Sequence, residues 1–209
     1  MRTGIAIVAA ALTLTATPSA SAAAAPRGPD AMTIKIAQSG GSGCPFDTTT
    51  VAVSDDLTAF SVAYSDYTAQ AGGSSLPVQS RKYCRLALRV FVPQNVTYGI
   101  VATDHHGYAS LLDGAKATHS AGAYFHGQPS RPITHDLTGP YADNWQFTDQ
   151  SDLGNFLWKP CGQDPTFDIN TELRVDQGTA DPSKLNLITM EAADSTIRTT
   201  YHLTWKPCP

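Results

Sequence analysis

Hydrophobic and polar residues alternate with a period of two along most of the chain from Met32 onward, and that period predicts strands. "MTIKIAQ" alternates from Met32 through Thr33, Ile34, Lys35 and Ile36, and "SGGSGCP" breaks it. "TTTVAVS" and "TAFSVAYS" flank the turn-like "DDL" and predict a hairpin. "DYTAQAGGSSLPVQS" reads as a loop, longer than usual and therefore a candidate functional loop. In "RKYCRLALRVFVP" one side carries Tyr83, Arg85, Ala87, Arg89 and Phe91. The other carries Cys84, Leu86, Leu88, Val90 and Val92, the better core side.

"NVTYGIVATDHHGYASLL", "DG" and "AKATHSAGAYFHG" together predict a long hairpin about a two-residue turn at Asp113-Gly114. After the loop "QPSRPITHDLTGP" come the segments "DNWQFTD" and "NFLWKP". "TFDINTELRVDQ" follows, with Phe167, Ile169, Thr171, Leu173 and Val175 on one face. "KLNLITMEA" and "STIRTTYHLTWKP" predict a last hairpin. No amphipathic helix is evident. Roughly nine to eleven short strands with turn chemistry between them predict an all-β, single-domain antiparallel β-sandwich or jelly roll.

The tetrapeptide "WKPC" occurs at Trp158–Cys161 and again at Trp205–Cys208. The flanking residues do not match and there is no third copy, so this is not a repeat array. Pro160 and Pro207 lack the N–H that a ladder needs, so each ends a strand. Four cysteines, Cys44, Cys84, Cys161 and Cys208, follow a secretory leader and predict two disulfides. Three pairings are possible. Chain order makes Cys44–Cys84 with Cys161–Cys208 the simplest, and that pairing joins the two WKPC copies.

The leader is "MRTGIAIVAAALTLTATPSASAAAAPRGPD". Arg2, the short apolar run from Ile5 to Leu14, and Ala20-Ser21-Ala22 fit a signal peptide over residues 1–22, followed by a flexible leader over 23–31. The domain is expected over 32–209, secreted and extracellular. Net charge is −4, and removing Arg2 from the 14 Lys and Arg leaves 13 against 18 Asp and Glu, or −5. A mildly acidic chain with scattered charges has no footprint for nucleic acid or membrane. A monomer is expected.

Five of the six histidines lie between His105 and His135. In the expected hairpin, paired residue numbers sum to 227, so His106 faces Ala121 and His119 faces Tyr108. His106 and His119 are then diagonal neighbours on one face and form a candidate metal pair. His105 and His126 fall on the other face. Two strand ligands fall short of a usual zinc set, and exposed or hydrogen-bonded histidines are the competing reading. No nucleophile-elbow, zincin, phosphate-loop or EF-hand motif is present, so no catalytic residue and no cofactor is assigned. "NVT" at Asn95 is a formal glycosylation sequon.

"GSGCP" (41–45), "FSVAYSDYTA" (60–69), "SRKYCRLALRVFVP" (80–93), "GYASLLDG" (107–114), "AYFHG" (123–127) and "KPCG" (159–162) together resemble a family of secreted actinobacterial and fungal proteins of unknown function, domain of unknown function 4360. The resemblance covers nearly all of the mature chain. It implies an extracellular single domain and carries no catalytic residue, cofactor or substrate.

The resulting expectation is a non-catalytic extracellular binding domain for a glycan, cell-surface or protein partner. Its contacts would come from the "DYTAQAGGSSLPVQS" loop, the "GQPSRPITHDLTGPYADNW" segment and one sheet face, with Tyr141 and Trp145 as aromatic anchors. A hydrolase with an unrecognised site and a secreted inhibitor or effector are the alternatives. A deep polar pocket with converging acid and base groups would favour the hydrolase.

Overall fold

The computed structural model describes residues 29, 31–151, 157–190 and 198–209. The expected signal peptide and most of the leader lie outside the described residues. Thirteen strands are present among the described residues: β1 Thr33–Gly40, β2 Thr49–Val53, β3 Ala59–Tyr64, β4 Thr68–Ala71, β5 Arg81–Phe91, β6 Val96–Leu111, β7 Lys116–Phe125, β8 Ile133–Thr138, β9 Tyr141–Gln150, β10 Leu157–Trp158, β11 Phe167–Asp176, β12 Asn186–Thr189 and β13 Thr199–Pro207. Pro77–Ser80 forms one turn of 3-10 helix. No described helix is long and apolar enough to cross a membrane.

The strands form two antiparallel sheets of an all-β sandwich. One has the order β1-β5-β11-β7-β8. The other runs β2-β3-β13-β6-β12-β4, with β9 and β10 also on β6. The long strand β6 organises the second sheet. Along one edge it pairs with β13 and then β12; along the other it pairs with β10 and then β9.

That saturation of β6 overturns the central expected hairpin. Both edges of β6 are occupied, so β7 cannot pair with it and enters the opposite sheet between β11 and β8. Asp113-Gly114 does turn the chain, with Ala115 N donating to Leu112 O at 3.0 Å, but the turn crosses between sheets. The inward sides of β6 and β7 then face one another across the core. Similarly, β12 and β13 lie end to end on β6 instead of pairing as a last hairpin. The two segments read as loops each hold a strand, β4 and β8, because partners distant in sequence, β12 and β7, supply their ladders.

Period two decides which residues are buried. Cys84, Leu86, Leu88 and Val90 of β5 and Phe167, Ile169, Thr171, Leu173 and Val175 of β11 face the core, as the alternation predicts. Phe60 and Tyr201 of one sheet stack at 4.8 Å, and Phe167 of the other meets both edge-on. Tyr67 Oη and Thr171 Oγ1 are hydrogen-bonded at 2.9 Å, so the buried pair satisfies itself.

The disulfides are Cys44–Cys84 and Cys161–Cys208. The second joins the two WKPC copies. Trp158 packs over Gly99, with the Lys206 ammonium 3.9 Å from its ring centre. Trp205 Nε1 donates to Leu57 O at 3.1 Å.

Candidate functional site

The outward face of the five-stranded sheet carries a groove built by the same alternation that fills the core. If even-numbered β5 residues point inward, Tyr83, Arg85 and Arg89 must point out. On β11 the outward set is Asp168, Asn170 and Glu172, and on β7 it includes Ser120 and Tyr124. The register aligns these in rows. Tyr83 and Ser120 flank Glu172, Arg85 sits beside Asn170, and Asp168 lies between Ala87 and Tyr124.

Three cavities of about 600, 480 and 590 Å³ lie along this face, and all three are lined by Arg85. They therefore form one continuous depression around that guanidinium. Its aromatic surface comes from Tyr83, Tyr124 and Phe46. Phe46 is 84% exposed, anchored two residues after the Cys44 bridge, while Tyr83 is 38% exposed. The guanidinium groups of Arg81 and Arg85 each lie 5.7 Å from the Tyr83 ring centre and flank the ring. Gly41 has φ +128° and lies so close to the Tyr83 backbone that a β-carbon there would strike its carbonyl. Asn170 Nδ2 donates to Tyr124 Oη at 3.3 Å.

The carboxylates of the groove are locally matched. Arg81 Nε donates to Glu172 Oε2 at 2.8 Å, and Arg174 pairs with the other oxygen of the same carboxylate. These bonds outweigh the burial that pushes Glu172 up, and hold its carboxyl below its usual range. His126 Nδ1 lies 3.2 Å from Asp168, and Lys159 Nζ lies 3.2 Å from Asp164.

A second polar constellation lies inside the sandwich, at the seam between β6/β9 and β7/β8. His105 of β6, His119 of β7, His135 of β8 and Asp149 of β9 all turn inward. His135 Nε2 donates to Asp149 Oδ1 at 2.7 Å, and His105 Nε2 lies 3.4 Å from Asp149 Oδ2. Thr199 Oγ1 lies 3.4 Å from His105 Nδ1. His119 is fully buried between His105 and Trp145, with ring centres at 4.5 and 5.3 Å, and neither of its nitrogens has a partner among the described residues. Ala117 and Ala121 flank it on β7 and leave room for the imidazoles.

Burial, followed by the positive charge that His105 and His135 can carry, pushes the His119 imidazole well below its ordinary value, against an opposing pull from Asp149. For Asp149, burial pushes the carboxyl up. The hydrogen bonds from His105 and His135 outweigh it and hold the carboxyl below the usual range.

The expected site residues are redistributed. His106 faces outward on β6, opposite Gln146 of β9, so it does not share a face with His119; His105 meets His119 instead. The reason is the sheet switch at Asp113-Gly114. No group of three His, Cys, Asp or Glu among the described residues is arranged to hold a metal ion. Trp145 is 3% exposed and packs over Gly107, where a β-carbon would strike the ring and the Thr189 carbonyl. It is a core residue and presents no surface anchor. Tyr141 is partly exposed, and its hydroxyl donates to Asn144 O at 2.9 Å.

Sequence reasoning placed Tyr83, Arg85 and Arg89 together on the non-core side of one strand but did not read them as a site. The missing signal was the pairing of that strand with β11 and β7. Phe46 carried no periodic signal at all.

A family model described as Domain of unknown function (DUF4360) matches residues 30–208. An "Uncharacterized secreted protein" of Arthroderma benhamiae is 27% identical over 181 residues, covering 86% of this chain and 73% of that protein. Among solved structures, the enzymatically active domain of bacteriophage CBA120 tailspike protein 4 overlaps at 10% identity and TM-score 0.27. That overlap spans 86% of this chain but 20% of the tailspike chain. A family 61 carbohydrate-binding module in complex with β-1,4-galactotriose overlaps at 9% identity and TM-score 0.28, covering 87% of this chain and 91% of that one. Superpositions this loose transfer no site to this chain.

Proposed function

We propose, since this chain belongs to the Domain of unknown function (DUF4360) family of secreted proteins, that it is a non-catalytic extracellular binding domain whose outer groove holds a glycan. The observation that carries this reading is the convergence of Phe46, Tyr83 and Tyr124 on one open depression around Arg85. Exposed rings beside hydrogen-bonding side chains suit a sugar, which offers an apolar ring face and a rim of hydroxyls. Arg85 and Ser120 donate, and Asn170 both donates and accepts.

The groove is long. Tyr83 and Tyr124 are two strands apart and four register positions apart, so their Cα atoms are roughly 17 Å from one another. One monosaccharide does not span that distance; an extended oligosaccharide does. The sheet fixes the spacing of Tyr83 and Tyr124, which lowers the entropy lost on binding there, while Phe46 sits on the turn that follows the Cys44 bridge.

The hydrolase alternative has one supporting observation: His105 and Asp149 line a small cavity that opens to the surface beside Arg131 and Ser151. That cavity measures about 140 Å³, room for a few waters and well below the roughly 300–1,000 Å³ of usual ligand pockets. In the outer groove, in contrast, Glu172 and Asp164 are held in ion pairs and Asp168 is hydrogen-bonded to His126. Isothermal titration against oligosaccharides of increasing length tests the reading. Affinity that grows from monomer to oligomer and is lost in Phe46→Ala supports it, whereas sustained hydrolysis abolished by His105→Ala would replace it with the enzyme.

A further inference from the structure

We infer that the groove selects glycans bearing carboxylates, the chemistry of uronic-acid polymers. This rests on the glycan reading and deepens it. The bias is local, because the chain as a whole is acidic, with a net charge of −4.

The groove and its rim hold cations in excess of the carboxylates left to answer them. Glu172 is taken by Arg81 and Arg174, Asp168 faces His126, and Asp164 faces Lys159. Among the described residues Arg85 and Arg89 form no ion pair, yet both line the groove. Lys35 of β1 is the register partner of Arg89, is exposed on the same outward face, and is also unpaired. Three cations without an ion-pair partner among the described residues therefore run from the centre of the depression to its β1 side. Asp168, a diagonal neighbour of both arginines, is hydrogen-bonded to His126, so one carboxylate stands against three cations.

The type of cation narrows the ligand. A guanidinium is a planar fork that matches a carboxylate through two parallel hydrogen bonds, and it is always charged. Arg85 is further oriented by its contact with Tyr83. Arg85 and Arg89 stand four residues apart on one strand, roughly 13 Å. A chain with a carboxylate on each successive unit can meet both, while a single acidic sugar meets one. A neutral glycan would leave both guanidiniums in the groove without a counter-charge.

The test compares two polymers that share a backbone: oligogalacturonate and its fully methyl-esterified form, each titrated into the full mature protein. We expect the free acid to bind at least tenfold tighter at low salt, and the advantage to shrink as salt rises. Arg85→Gln with Arg89→Gln should remove the preference, with the thermal midpoint unchanged because both side chains are exposed. Lys35→Gln, at the rim, should weaken it partially.

Equal affinity for acid and ester overturns the charge inference and leaves the glycan reading standing. Binding of neutral glucans with no binding of oligogalacturonate does the same. Equally tight binding of polyglutamate would show that the cations read charge without sugar, which also overturns the inference. Failure to bind any glycan defeats both.

Discussion

The imidazole of His135 on β8 donates to the Asp149 carboxylate on β9 at 2.7 Å, and that bond joins the edge strands of two different sheets. The same carboxylate receives His105 from within its own sheet. Asp149 is thus the one acceptor for two histidines, while the third, His119, sits buried beside them with no acceptor among the described residues.

Acid should loosen this seam. His119 has an ordinary value of 6.5 and is depressed in the folded state, so below about pH 6.5 the unfolded chain binds a proton that the folded chain refuses. Its contribution to stability is therefore complete above that pH and is lost as pH falls toward the folded value. Asp149, also depressed, adds a second loss below its ordinary 3.8. Urea denaturation from pH 7.5 to 5 should show falling stability, and His119→Leu should flatten that slope. An unchanged slope in the variant contradicts the account.

Removing the shared acceptor should cost more than removing one donor. Asp149→Ala should lose about 3 kcal/mol, since it strips the buried His105 and the partly buried His135 of their shared charged partner. His135→Ala, on the more exposed side, should lose about 1 to 2 kcal/mol. Chemical denaturation at pH 7 orders the two, and the reverse order contradicts the geometry.

Trp145 and Gly107 make a size-matched pair across β9 and β6. Trp145→Ala should cost about 3–5 kcal/mol through the cavity it leaves. Gly107→Ala should cost about 1–3 kcal/mol through overpacking. A thermal midpoint within a degree of the parent for Trp145→Ala would show that the ring is not in the core.

Sequence periodicity carried the fold class and the inside–outside pattern of β5 and β11, because burial on one face imposes period two locally. It misassigned the partners of β6 and β7, since "DG" between two alternating runs marks a turn equally well whether the strands pair or face each other. The occupancy of both edges of β6 by β13, β12, β9 and β10 decides between these, and the paired residues lie from 30 (Leu111 to Tyr141) to 111 (Val96 to Pro207) positions downstream. His119 was the readable clue: on its strand Ala117, Ala121 and Phe125 share its side, an apolar set that marks a core face. The groove was half legible, with Tyr83, Arg85 and Arg89 aligned on one strand and their companions Asn170 and Tyr124 assigned only by non-local pairing.

The Cys161–Cys208 bridge closes a loop with a sequence separation of 47 residues, between the two WKPC copies. Replacing both cysteines by serine should destabilise the domain by up to about 4 kcal/mol. Equilibrium unfolding of the double variant checks this, and a loss under 1 kcal/mol would show that the bridge does not constrain the chain.

The most direct measurement is oligosaccharide affinity in the parent and in Phe46→Ala, Tyr83→Ala and Tyr124→Ala, with thermal midpoints recorded alongside. The account predicts that each variant loses affinity, Phe46→Ala without any loss of stability because its ring is free of the core. Unchanged affinity across all three variants, or a bound glycan whose contacts map to the opposite sheet, would contradict the groove as the binding site.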